Sequence, residues 1–149
     1  MKINLICASK FKKNSPLVDI YNDYFKRITS FKISLFEVDD KNLSQLDTNK
    51  ALFSFIKPPC FTILLDEGGK LVNSQELCSI FYKFPHQNIS TINLLIGGAD
   101  GFLLEYKQKA DMLISLSKLT FPHQLARVIL IEQLYRIQTI NQGHPYHRE

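Results

Sequence analysis

Short apolar runs alternate with stretches of helical spacing along this chain, and that alternation restricts it to the α/β class. Residues 3–8 read as a strand. Pro16 then opens a helical stretch in which Leu17, Ile20, Tyr21, Tyr24, Phe25 and Ile28 recur on one face. Lys32–Val38 alternates as a second strand, and residues 42–56 are expected to be helical until Pro58-Pro59 ends them. Residues 61–65 form a nearly continuous apolar run, as a strand covered on both faces must. Asp66-Glu67-Gly68-Gly69 turns the chain, and Asn73 with Glu76 has the form of a capping box ahead of Leu77, Ile80 and Phe81. A further buried strand over 92–96 is broken by Gly97-Gly98. A short helix over 103–110 then leads to a strand over 112–116. Pro122 suits the first turn of a long final helix, 124–142, ending near Gly143 and Pro145. The expected fold is one α/β domain over residues 1–149, a mostly parallel sheet with helices on both faces.

Bulk properties narrow the function only a little. The 149 residues suit a single core. A net charge of +4 permits contact with phosphate without demanding it, and a solvated lysine-rich surface explains it as well. Cys7, Cys60 and Cys78 are odd in number and form no CxxC, so neither a disulfide framework nor a zinc site is suggested; buried free thiols are expected at Cys7 and Cys60. The apolar stretch 3–8 is too short for a signal peptide, and nothing approaches the ~20 apolar residues of a membrane span. The expected location is the cytoplasm, away from membranes.

In open parallel sheets ligands sit beyond the carboxyl ends of the strands, and the turn after Leu65, the glycine-rich loop after Ile96 and the 117–121 loop occupy that kind of position. Three segments carry candidate chemistry. The first is 94–101, Leu-Leu-Ile-Gly-Gly-Ala-Asp-Gly, where glycines let backbone approach a ligand. Its spacing is not GxGxxG and no Walker motif is present, so a tight strand-to-helix turn is an equal reading. The second is 116–123, Leu-Ser-Lys-Leu-Thr-Phe-Pro-His, with amides, carbonyls and hydroxyls suited to adenine and ribose. Its plain alternative is a connector in which Ser117 or Thr120 caps the next helix.

The third is the final helix with its tail. Leu125, Val128, Ile129, Ile131, Leu134, Ile137 and Ile140 occupy more than one stripe, so the helix needs cover on several sides, from its own core or from a second subunit. Arg127, Glu132 and Arg136 interrupt it, either as salt bridges or, for the arginines, facing phosphates. His144, Tyr146, His147, Arg148 and Glu149 then crowd a terminus where chains usually fray. His144 and His147 raise a metal reading that would need a third ligand such as His123. Serine hydrolysis is unsupported without a GxSxG elbow.

Taken in order, residues 95–101, 115–124, 131–136 and 144–149 resemble the SPOUT superfamily of methyltransferases. Within it they resemble the family that methylates N3 of a pseudouridine in large-subunit rRNA. Residues 24–28 and 65–70 fit more thinly, so the resemblance spans the whole length. It implies a deep C-terminal trefoil knot and a homodimer. It implies S-adenosylmethionine as methyl donor without a metal, held by Leu65, Gly97, Gly98, Leu116, Ser117, Lys118, Leu119, Thr120 and Phe121. The substrate would be rRNA within the assembled ribosome. Two departures stand out: Ala8-Ser9-Lys10 where the family more often has glycine before the lysine, and a shorter, less charged 42–56 region.

On this reading His147 assists removal of the N3 proton, an imidazole being able to accept one at neutral pH. Arg148 stabilises developing negative charge or grips a phosphate, and Tyr146 stacks on or hydrogen-bonds the base. Glu132, Arg136 and His144 are expected to orient the tail or bind substrate. Two other readings stay open: a SPOUT enzyme acting on tRNA, and a non-catalytic ribosome-binding factor.

Overall fold

The computed structural model describes residues 1–82 and 88–148. In chain order its elements are β1 (Lys2–Ala8), α1 (Pro16–Arg27), β2 (Lys32–Val38), α2 (Gln45–Phe53), β3 (Phe61–Leu71), α3 (Ser74–Tyr82), β4 (Thr91–Ile96), α4 (Leu104–Lys107), β5 (Met112–Ser115) and α5 (His123–Asn141). The strands form one parallel sheet in the order β2-β1-β4-β3-β5. Because side chains alternate along a strand, each central strand feeds two cores. Ile3, Leu5, Cys7, Ile63, Leu94, Ile96 and Ile114 face α1, α3 and α5, while Ile6, Ala8, Leu64 and Leu95 face the side covered by α2. Helices therefore lie on both faces, as the near-continuous apolar strands require.

The helix boundaries follow from local chemistry. Ser15 accepts a hydrogen bond from Leu17 N, and Pro16 occupies the first helical turn where its missing N–H costs nothing. Asn73 and Glu76 exchange both bonds of a capping box, at 2.9 and 2.8 Å. The region 42–56 is helical only over α2, because Ser44 caps Asp47 N at 3.0 Å and Asn42, at φ 64°, stands outside the helix. Similarly 103–110 shortens to α4. Pro122 precedes α5 as an extended cap residue and is not within its first turn. At the other end of α5, Gly143 has φ 66°, Gly143 N donates to Ile140 O and His144 N to Thr139 O, the paired bonds of a Schellman ending.

Two further expectations change. Cys7 is fully buried, but Cys60, just before β3, is only half-buried. The turn at 66–69 is an interruption and not an end. Ile114 pairs with both Leu65 and Lys70, so four residues bulge out of β3 before the strand resumes. Gly69 returns the chain to β5 so closely that a Cβ there would sit 2.7 Å from the Ile114 backbone.

Candidate active site

The carboxyl ends of β3, β4 and β5 open into a cavity of about 730 Å³. Its walls are the β3 bulge (Leu65–Gly68), the glycine loop after β4 (Gly97–Phe102), the segment 115–122, and His123 and Ala126 from the start of α5. Leu65, Gly97, Gly98, Leu116, Ser117, Leu119, Thr120 and Phe121 all line it. Lys118 does not: it is exposed on the outer side of its loop.

Side chains hold these walls in place. Ser115 Oγ donates to Ser117 O at 2.8 Å, and Ser117 Oγ accepts Leu119 N at 2.9 Å. Ser117 thus shapes its own loop, and neither it nor Thr120 caps α5. The bulge is tied across the cavity mouth by Asp66, which meets Lys107 Nζ at 2.8 Å. The glycine loop is braced from α2: Asn49, fully buried, donates to Gly101 O and accepts Leu103 N at 2.8 Å, and Gln45 Nε2 donates to Asp100 O. The glycines answer to packing inside the protein. A Cβ on Gly97 would meet the Phe102 ring at 3.1 Å, and one on Gly98 would meet Asp40 Oδ2 at 2.8 Å. Sequence reading missed Asn49 and Gln45 altogether, because partners more than fifty positions away leave no local pattern.

Arg127 settles its own role. The side chain is fully buried, bonds Glu37 Oε2 at 2.6 Å and Ser9 O at 2.7 Å, and lies over the Phe11 ring at 4.1 Å. A guanidinium without solvent access cannot face phosphate, so Arg127 is a brace between α5 and the loop after β1. Arg136 makes two bonds to Glu132 Oε1, at 3.1 and 2.6 Å.

The tail is placed by that pair. Tyr146 OH donates to Glu132 Oε1 at 3.0 Å and lies 3.4 Å from Tyr24 OH. Its ring packs edge-on against Tyr135 at 4.8 Å, with the Arg136 guanidinium 4.9 Å from its centroid. Burial, then the bonds to Tyr24 and Glu132, push the Tyr146 phenol well above its ordinary range, so it keeps its proton and acts as donor. Both ring and hydroxyl are engaged, which makes Tyr146 the anchor of the tail. His144 Nδ1 accepts Tyr146 N at 3.1 Å and shapes the turn. His147 is half-buried with an unpartnered Nδ1, Arg148 is exposed, and Glu149 lies outside the described residues. No described tail residue lines the cavity. Glu132 lies nine positions beyond His123, about 13 Å along the helix. Among the described residues no three His, Cys, Asp or Glu side chains are gathered to hold a metal, so His123, His144 and His147 make no such set.

S-adenosylmethionine fits what the cavity offers. Its volume lies within the ~300–1,000 Å³ usual for small-molecule sites. Leu65, Leu116, Phe121 and Ala126 supply apolar wall, the 115–121 segment supplies backbone polar groups, and Glu67 and Asp100 suit a cationic ligand.

The comparisons agree in kind. Residues 1–147 match the family model described as "Predicted SPOUT methyltransferase". The ribosomal RNA large subunit methyltransferase H of Clostridium novyi (strain NT) is 36% identical, aligned over 99% of this chain and 100% of its own. Its namesake in Prochlorococcus marinus (strain MIT 9215) is 42% identical, over 97% and 94% respectively. Among solved structures, the SpoU methyltransferase AviRb from Streptomyces viridochromogenes aligns at a TM-score of 0.44 and 11% identity, over 96% of this chain and 60% of that one, too loosely to weigh. With a parallel sheet, a cavity at its carboxyl edge and relatives matched almost end to end, the chain belongs to the SPOUT methyltransferases, in the family of the ribosomal RNA large subunit methyltransferase H proteins.

Proposed function

We propose that this protein is an S-adenosylmethionine-dependent methyltransferase acting on N3 of a pseudouridine in large-subunit rRNA of the assembled ribosome. It works in the cytoplasm as a homodimer, each subunit a single knotted domain over residues 1–149. The observation that carries this reading is the cavity at the carboxyl edge of the sheet, in a chain aligned along its length with rRNA methyltransferases. Among the described residues no helix is long and apolar enough to cross a membrane.

When bound, the donor supplies a methyl group already activated on a sulfonium. The protein must bind both partners, orient them and take one proton. Leu65, Gly97, Gly98 and the 116–121 loop hold the donor, with Glu67 and Asp100 offsetting its positive charge. The imidazole of half-buried His147 is the group to receive the N3 proton. That assistance is worth roughly 10²–10⁴-fold. Arg148, exposed beside it, faces the negative charge that develops on the base. Tyr146, Glu132 and Arg136 keep the tail in place. Because cavity and tail stand apart within one subunit, we assign each tail to the partner's cavity, which makes the dimer a requirement of the chemistry.

Ribosomes from cells lacking this protein, incubated with it and methyl-labelled donor, should gain one methyl, located by mass spectrometry in large-subunit rRNA. His147→Ala should lower turnover by about 10²-fold or more. Methylation of tRNA in place of ribosomes would redirect the substrate, and donor binding without any transfer would sink the enzymatic reading.

A further inference from the structure

Beside the cavity lies a second feature that the donor site does not use. The loop after β1 carries Lys10, Lys12 and Lys13, all exposed, and among the described residues none of the three forms an ion pair. A run of lysines is ordinarily just a solvated surface. This loop differs because the fold fastens it to the cavity's rim. Gln124 Nε2, in the first turn of α5, donates to Lys10 O at 3.1 Å. Arg127, in the second turn, holds Ser9 O from its buried position, and Phe11 N donates to Glu37 Oε2 at 2.9 Å. His123 and Ala126, on the same two turns, line the cavity.

The start of α5 adds to the positive field. This 19-residue helix has no capping side chain and no acidic residue in its first turn, so the positive end of its dipole is uncompensated there. The acids on β2 and just after it are otherwise engaged or placed: Glu37 pairs with Arg127, Asp39 Oδ1 accepts Lys41 N at 3.2 Å, and Asp40 lies against Gly98.

We infer that the Lys10–Lys12–Lys13 loop is a phosphate-contact surface that seats the rRNA backbone flanking the target nucleoside at the cavity mouth. The inference rests on the proposed rRNA substrate and deepens it. A loop held by a buried arginine keeps its three ammonium groups at a set place relative to the donor, so backbone contact there contributes register as well as affinity.

The test compares the full-length dimer with two triple variants of equal charge change. One is Lys10→Ala/Lys12→Ala/Lys13→Ala; the other is Lys32→Ala/Lys50→Ala/Lys57→Ala, at exposed positions elsewhere. Binding to ribosomes lacking the methyl is measured across salt concentrations, together with donor binding by calorimetry and thermal unfolding. At about 0.7 units of salt slope per single-strand phosphate contact, the loop variant should lose about 2 units. Its KM for ribosomes should rise at least tenfold with kcat largely retained, and donor affinity and melting temperature should stay at wild-type values. The control triple should match wild type. A loop variant with wild-type slope and KM, or a control that loses as much, overturns the proposal while leaving the rRNA substrate standing. A wild-type protein that neither binds nor methylates ribosomes overturns the substrate reading, and the loop proposal with it.

Discussion

Ser9 occupies the left-handed region, with φ 69°, where most side chains are strained. A left-handed L-residue costs about 1–2 kcal/mol, partly offset because glycine costs more entropy to order, by roughly 0.5–1 kcal/mol. Ser9→Gly should therefore stabilise the fold by about 0.5–1 kcal/mol, read as a higher urea midpoint at unchanged slope. A lower midpoint would mean that the serine side chain has a role of its own. Cys7, next to this loop, gives a pH dependence. Burial pushes its thiol up to about 12, only partly opposed by Arg127. Unfolded, a thiol titrates near ~8.5. Between those values the unfolded chain has lost a proton that the folded chain keeps. Stability is then full below the lower value and falls as pH rises through the window, by up to about 1.4 kcal/mol per pH unit. Tyr21, raised by burial in the same core, adds to this at higher pH. Urea titrations from about pH 8 to 10 should show a decline that Cys7→Ala makes shallower; parallel curves would refute the assignment.

Among the elements, β3 has most to do with the site. Its bulge places Leu65–Gly68 on the cavity, and the return through Gly69 sets the spacing of β5, whose end supplies Ser115 and Leu116. In Gly69→Ala the new Cβ would meet backbone of Ile114 and Leu113, which no rotamer change relieves. Overpacking of this kind costs about 1–3 kcal/mol. The variant should lose that much stability and also bind donor several-fold more weakly by calorimetry, whereas Gly68→Ala, facing only the Asp66 side chain at 3.2 Å, should be milder in both. Equal effects would separate the bulge from the donor site. The bulge was half legible: Asp66-Glu67-Gly68-Gly69 announces a turn, but the resumption of the strand depends on Ile114, more than forty residues on. The helices were more legible, since Pro16, Asn73 with Glu76, and Gly143 act within one turn. Residues 42–56 misled on length, because Ser44 caps the helix and Asn42, in the left-handed region, stands outside it.

For the whole molecule, no described residue of the tail lines the cavity of its own subunit. If each tail completes the partner's cavity, two dead variants should rescue each other. Ala126→Phe fills the cavity from α5 and spares the tail; His147→Ala spares the cavity. Randomly mixed dimers of the two should recover about a quarter of wild-type activity, since half are mixed and each mixed dimer has one intact site. If tails serve their own cavities, the mixture should stay inactive.

What the sequence by itself determined was set by contacts a few residues apart: the strand and helix alternation, the helix caps, the parallel α/β class, and the three loops that line the cavity. These follow from side-chain period and backbone chemistry, which act locally. The tertiary structure decided the rest. It buried Arg127 against Glu37, removing it from any phosphate, and it braced the glycine loop through Asn49. It also turned Tyr146 into an anchor on Glu132 and kept Lys118 off the cavity wall. Each of these depends on which distant segments the sheet order brings together, and on the burial that results. A charged or aromatic side chain has its chemistry from its identity but its role from its surroundings.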